Sequence, residues 1–182
     1  MRNIGHWALL VPFAAAAFWS TALQADAIGD NNLCYAQFST GNNEAAIGYC
    51  SRAIESGELS DADLIAALIN RGVAYKNTGN LQAAIDDYTR ALRLAPRDAL
   101  LYQNRANARR AMGYYDAALA DIEKATELEP ESAGAWYVRG AIAEDRGNLA
   151  DARRYYLTAL GLDPENSAYK AKILGSAKQE GQ

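Results

Sequence analysis

The chain has 182 residues, half of them apolar and 22% charged, with a net charge of −4. That length can bury one sizeable core. The lack of a Lys/Arg excess argues against a nucleic-acid partner, whose phosphates call for one.

The N-terminal stretch MRNIGHWALLVPFAAAAFWSTALQADA carries Arg2 and no acid before Asp26. An apolar block runs from Trp7 to Trp19, and small residues precede an Ala-Asp-Ala triplet. This order of basic, apolar and small-residue segments is the pattern of a cleavable secretory signal, with the cut expected after Ala25 or Ala27. The alternative is an uncleaved anchor, but the apolar block falls short of the ~20 residues that span a bilayer. The DNNL before Cys34 lacks the small residues that precede a lipid-modified cysteine. Removing residues 1–27 leaves the charge at −4, since Arg2 and Asp26 leave together, and takes away His6, the only histidine. The expected location is periplasmic or secreted, with no membrane insertion after cleavage.

Residues 28–57 contain NNLCYAQFSTGNNEAAIGYCSRAIESG, which reads as a shortened pair of helices broken at Gly41. The SGELSDAD segment comes after it, where Ser60 and Asp63 form a plausible capping box for the next helix. Three units of equal length come next, at 65–98, 99–132 and 133–166, each ending in a Pro-containing phrase: LAPRD, LEPES and LDPEN. They align without a gap, and Pro96, Pro130 and Pro164 recur every 34 residues. The eighth place of each unit is small (Gly72, Ala106, Gly140) and the fifteenth is Gly (Gly79, Gly113, Gly147). The twentieth is Ala (Ala84, Ala118, Ala152), the twenty-fourth is large (Tyr88, Ile122, Tyr156) and the twenty-seventh is Ala (Ala91, Ala125, Ala159).

Each unit reads as two helices. The mid-unit glycine closes the first, and the proline stands past the end of the second. Asp98, Ser132 and Asn166 are N-caps, each for the helix that opens the next unit. Small and large places alternate so that paired helices fit closely, and stacking buries what one pair leaves exposed. Residues 167–182 read as a final amphipathic helix and tail that caps the stack, with Tyr169, Ile173 and Leu174 as its apolar side.

This pattern resembles the tetratricopeptide repeat family, of the exported bacterial type, fully over 65–166 and more loosely over 30–57. The resemblance implies an all-α fold, a right-handed α-solenoid of stacked antiparallel helix pairs, with about three and a half units and a C-terminal capping helix. Departures are local: Arg71, Arg105 and Arg139 stand at the usually aliphatic seventh place, and Arg109 and Ala143 at the usually large eleventh. In this family the first helices line a groove that holds a protein or an extended peptide. Carried over, the groove residues expected to bind a partner are Asn70, Val73, Lys76, Asn77, Gln103, Asn104, Asn107, Arg110, Tyr137 and Glu144. Val138, Ala141 and Asp145 are placed on the same face. Members that grip the carboxylate of chaperone tails have basic residues at the second and sixth places of a third unit. In the third full-length unit here, 133–166, those places hold Gly134 and Val138, so that activity is not implied.

Cys34 and Cys50, the only cysteines, take the eighth and twenty-fourth places of the first unit, where two helices face each other across their turn. A disulfide is expected, with two buried thiols, or a redox pair, as the alternatives. Arg71 with Asp87 and Arg105 with Asp121 occupy the seventh and twenty-third places, while unit four has Arg139 with Tyr155. These pairs are either ties between helices or solvated side chains. Without His6, nucleophilic triads and histidine metal sites are excluded. Adjacent acids such as Asp86–Asp87 point apart on a helix. The expected function is therefore non-catalytic, a scaffold or adaptor that needs no metal or cofactor. The alternative readings are a self-associating module and a thiol-redox protein using Cys34 and Cys50.

Overall fold

The computed structural model describes residues 14–179; residues 1–13, the first part of the expected signal, lie outside this range. Among the described residues the chain is all-helical. The helices are α1 (Ala14–Ser39), α2 (Asn43–Glu55), α3 (Asp61–Asn77), α4 (Leu81–Leu94), α5 (Ala99–Ala111), α6 (Tyr115–Leu128), α7 (Ala133–Asp145), α8 (Leu149–Leu162) and α9 (Ser167–Gln179). Neighbours in sequence pack as hairpins, and first helices also touch one another along the stack, α1 on α3, α3 on α5 and α5 on α7. The result is a solenoid of antiparallel helix pairs. No described helix is long and apolar enough to cross a membrane. Helix α1 passes without a break through Ala25 and Ala27, in an Ala-rich stretch that favours helix.

The turns arise from backbone constraints. Gly41, Gly79, Gly113 and Gly147 have φ of 77°, 83°, 78° and 80°, a region that costs any residue with a Cβ about 1–2 kcal/mol. The prolines sit just past Ala95, Glu129 and Asp163, the C-caps of α4, α6 and α8. Large fourth-place residues then lock the first two junctions: Tyr102 donates to the Pro96 carbonyl (3.2 Å) and the Trp136 indole to that of Pro130 (2.9 Å). Asp98, Ser132 and Asn166 accept from backbone N–H groups of Leu101, Ala135 and Ala168. Ser60 caps α3 by accepting from Asp63 N–H (3.2 Å), but the reciprocal half of the capping box is absent. Its place is taken by the Ser60 hydroxyl donating to the Asp63 carboxylate (2.6 Å), because the short Asp side chain meets the hydroxyl first.

The eighth and twenty-fourth places form the seam inside each hairpin. A Cβ on Gly72 would stand 2.7 Å from the Tyr88 ring, and one on Gly140 2.7 Å from the Tyr156 ring. In unit three Ala106 and Ile122 are both fully buried in one cluster, the smaller Ile making room for the Ala methyl. In unit one the same two places are Cys34 and Cys50, joined by a disulfide with Cα atoms 4.8 Å apart. The two buried tyrosines differ at their tips. Tyr156 donates to Glu144, whereas the Tyr88 hydroxyl is buried with no hydrogen-bond partner among the described residues. Tyr88→Phe is therefore expected to leave stability unchanged or raise it by up to about 2 kcal/mol, while Tyr156→Phe lowers it by about 1 kcal/mol. Urea denaturation of the two variants checks this; a clear loss in Tyr88→Phe would refute the account of its hydroxyl.

The arginine–aspartate pairs are ties. Arg71 donates Nε and Nη2 to Asp87 (2.8 and 2.7 Å), and Arg105 does the same to Asp121 (2.9 and 2.7 Å). Each also reaches back one unit through Nη1, Arg71 to the Ser51 hydroxyl (2.9 Å) and Arg105 to that of Thr89 (3.1 Å). Burial works against the charge of Arg71, but the hydrogen bonds and charge of Asp87 outweigh it and raise its pKa. Arg109, in the usually large eleventh place, turns the second tie into a triad by donating to Asp121 (2.7 Å).

Candidate functional site

The first helices leave open, away from their own second helices, a face that repeats from unit to unit. Along it, the expected binding residues divide into two groups. Asn70, Val73, Lys76, Asn104 and Asn107 are half-buried, and their side chains make no hydrogen bond or ion pair among the described residues. The others are engaged. Asn77 donates to Asn43 (3.1 Å), and Gln103 accepts from Ser132 (3.4 Å) while its amide covers Gly134. Arg110 pairs with Asp145 (3.0 Å).

Unit four departs from the expectation. Tyr137 packs its ring between Tyr156 and Tyr169, at 5.4 and 5.0 Å between centroids. Glu144 accepts from Lys172 (2.7 Å) and from Tyr156. Val138 and Ala141 are buried, not groove-facing, and Ala141 packs in a cluster that Tyr137 and Ile173 join. Val138 is buried against unit three, with Ala106 and Ile122; for the others the physical reason is α9, which docks where the first helix of a fifth unit would lie and brings Tyr169, Lys172 and Ile173 onto this end. Tyr137 and Glu144 thus serve the chain's own end cap. Of the charged groove residues named from sequence, Lys76 alone keeps no opposite charge among the described residues.

The dock is expected to weaken in acid. Burial raises the Glu144 pKa, but hydrogen bonds from Lys172 and Tyr156 outweigh it and hold the carboxyl below its usual range. Burial first, and then the hydrogen bond to Glu144, pushes the Tyr156 hydroxyl well up. A carboxyl lowered from an unfolded value of about 4.3 stabilises fully above that value, and the contribution disappears as pH falls through the lower folded one. The protection of α9 amides, taken relative to the intrinsic exchange rate at each pH, should therefore fall below about pH 4, and Glu144→Gln should flatten that dependence. Identical pH profiles for the two proteins would contradict it.

Two residues on this face were missed in the sequence. Asn32 takes the sixth place of unit one, in register with Asn70 and Asn104, and is exposed with no side-chain partner among the described residues. Tyr35, beside it at the ninth place, is 64% exposed. The signal was present, since counting from Cys34 at the eighth place, two back and one forward, finds both.

Family models described as tetratricopeptide repeat match residues 65–98 and 104–167. The Hsp70-Hsp90 organizing protein of Triticum aestivum is 35% identical over 108 residues, 59% of this chain and 19% of that protein. The chain thus spans about a fifth of that relative's length. Among solved structures, the first such domain of Spaghetti (RPAP3), bound to an HSP90 peptide, superposes with a TM-score of 0.59 at 25% identity. That match covers 65% of this chain and 94% of that one. MamA superposes over 86% of this chain and 83% of its own, with a TM-score of 0.68 at 18% identity, a likeness of fold.

Proposed function

Since this chain belongs to the tetratricopeptide repeat family, we propose that it is a non-catalytic scaffold of the bacterial cell envelope. It holds a partner protein, through an extended segment, along the face of α1, α3 and α5. The observation that carries this reading is the row of asparagines at the sixth place, Asn32, Asn70 and Asn104, with their amides unpaired among the described residues. An asparagine amide both donates and accepts, so it pairs with the N–H and C=O of an extended backbone. Such bonds contribute about 0.5–1.5 kcal/mol each, and a row of them sums to useful affinity. Lys76 favours an acidic residue in the bound segment, while Val73, Tyr35 and the half-exposed Leu100 offer apolar contact.

The structural neighbour that holds an HSP90 peptide supports a peptide-binding use of this fold. The particular tail is a separate matter, because Gly134 and Val138 provide no cation at the second and sixth places of unit four. Export is supported by the N-terminal pattern and by the Cys34–Cys50 disulfide, which an oxidising compartment favours.

The experiment is photocrosslinking in the native envelope from a reactive residue at position 73, with mass spectrometry of the captured chain. Asn70→Ala with Asn104→Ala should weaken capture at least tenfold while the helical circular dichroism stays unchanged. Undiminished capture would overturn the assignment. Self-association is the second reading, favoured by the half-exposed Leu157 beside Leu160 and Ile173 at the α8–α9 end. Light scattering decides it: a stable oligomer insensitive to the two asparagine changes would favour it over peptide capture.

A further inference from the structure

The seventh-place arginine has the same surroundings twice and different ones the third time. Arg71 and Arg105 present Nε and Nη2 to a carboxylate at the twenty-third place and Nη1 to a hydroxyl of the unit before. In unit four those two places hold Tyr155 and Glu123. Arg139 instead lies over the rings of Tyr155 (4.9 Å) and Trp136 (5.6 Å). Ring faces attract the cation but give its N–H groups no directed acceptor. The Nε of Arg139 is accordingly buried with no hydrogen-bond partner among the described residues.

A second departure from the repeat opens space beside it. The eleventh place holds Tyr75 in unit two and Arg109 in unit three, but Ala143 in unit four. A cavity of about 140 Å³ lies there, bounded by Arg139, Ala143, Tyr155 and Leu119, with Arg146 and Asp151 at its edge. The edge charges already have partners: Arg146 pairs with Asp116 and Asp151 with Arg154, each at 3.0 Å. Glu123, also lining the cavity, is exposed and makes no ion pair among the described residues. With each water claiming about 30 Å³ in the liquid, the cavity has room for roughly five heavy atoms.

We propose that this cavity is a carboxylate-binding pocket in which Arg139, through its accessible Nη nitrogens rather than the occluded Nε, takes from a ligand the group that Asp87 and Asp121 supply inside their own units. The fitting ligand is the end of a Glu side chain or a free acid of propionate size. The pocket opens between the second helices α6 and α8, so it is separate from the row of asparagines and stands whether or not a peptide binds there.

The test is titration of the protein with sodium propionate, following the Nε–H resonance of Arg139 by NMR at constant ionic strength. A saturable shift with Kd of about 1–10 mM is expected, the range for one charge-assisted bidentate pair. Arg71 and Arg105 are internal controls that should not move, and neutral propionamide should have no effect. Tyr155→Asp supplies the carboxylate internally and should abolish the response; Ala143→Leu fills the space and should weaken it at least tenfold. Should Ala143→Leu fail to fold, the wild type and Tyr155→Asp decide. No saturation by about 100 mM, ten times the upper limit expected, or the same shift in Tyr155→Asp, overturns the proposal. So does a silent wild type that responds once Glu123→Gln is made, because the chain's own Glu123 then fills the site. Equal affinity for propionate and for N-acetylglutamate N-methylamide assigns the pocket to an acidic side chain of a partner protein. Binding of propionate alone assigns it to a free acid.

Discussion

Replacing Asp121 with alanine is expected to lower stability by about 3–5 kcal/mol, the range for removing one partner from a buried ion pair. Asp121 is 3% exposed, and its two oxygens accept from Arg105 twice and from Arg109 once. Without it, two guanidinium groups remain between α5 and α6 with no anion. The surrounding helices hold both away from full hydration, with Arg105 and Arg109 side chains 14% and 23% exposed. Asp87→Ala should cost less, since only Arg71 is orphaned and it keeps its bond to Ser51. Urea denaturation gives both values. If Asp121→Ala loses under 1 kcal/mol, the triad is a surface-like pair worth little and the structural role assigned to it is wrong. The cost reflects the buried charge left behind and is not a measure of what the tie contributes over an apolar pair of similar size.

Converting both Cys34 and Cys50 to alanine should destabilise the protein by about 3 kcal/mol, the order expected for a closed loop of this length. The two are 16 residues apart and both fully buried. The bond restricts the unfolded chain, and it holds α1 on α2 at the seam where units two and four use Gly against Tyr and unit three Ala against Ile. A dissolved reductant reaches it only when those helices part, so reduction should require partial unfolding. Guanidinium titration of the double variant, with and without reductant on the wild type, is the measurement. Stability equal to wild type would remove the case for a structural staple, and loss of partner capture at unchanged stability would favour redox work.

The asparagine face was partly legible. Asn70, Asn104 and Asn107 could be placed on one side from the register alone, because a helix repeats its direction every 3.6 residues. Arg110, Tyr137 and Glu144 share that register, yet they are spoken for by Asp145, Tyr169 and Lys172. Register says which way a side chain leaves its helix; it says nothing of what a later helix lays over it. Arg109 makes the same point. In the sequence it stands only as a departure from a large eleventh place, and the fold turned it into a second cation on Asp121.

The sequence by itself determined the repeating hairpin, because its causes are local. A glycine free to take positive φ, a proline that cannot continue a helix, and small residues set opposite large ones act over a few residues or one turn. The tertiary structure decided which of the equivalent places are free to meet a ligand. That depends on α9 covering unit four, on long side chains finding charges some 30 residues away, and on the space left where Ala143 stands for a large residue. Such outcomes depend on reach and on competition between partners across the stack, and no stretch of chain contains them.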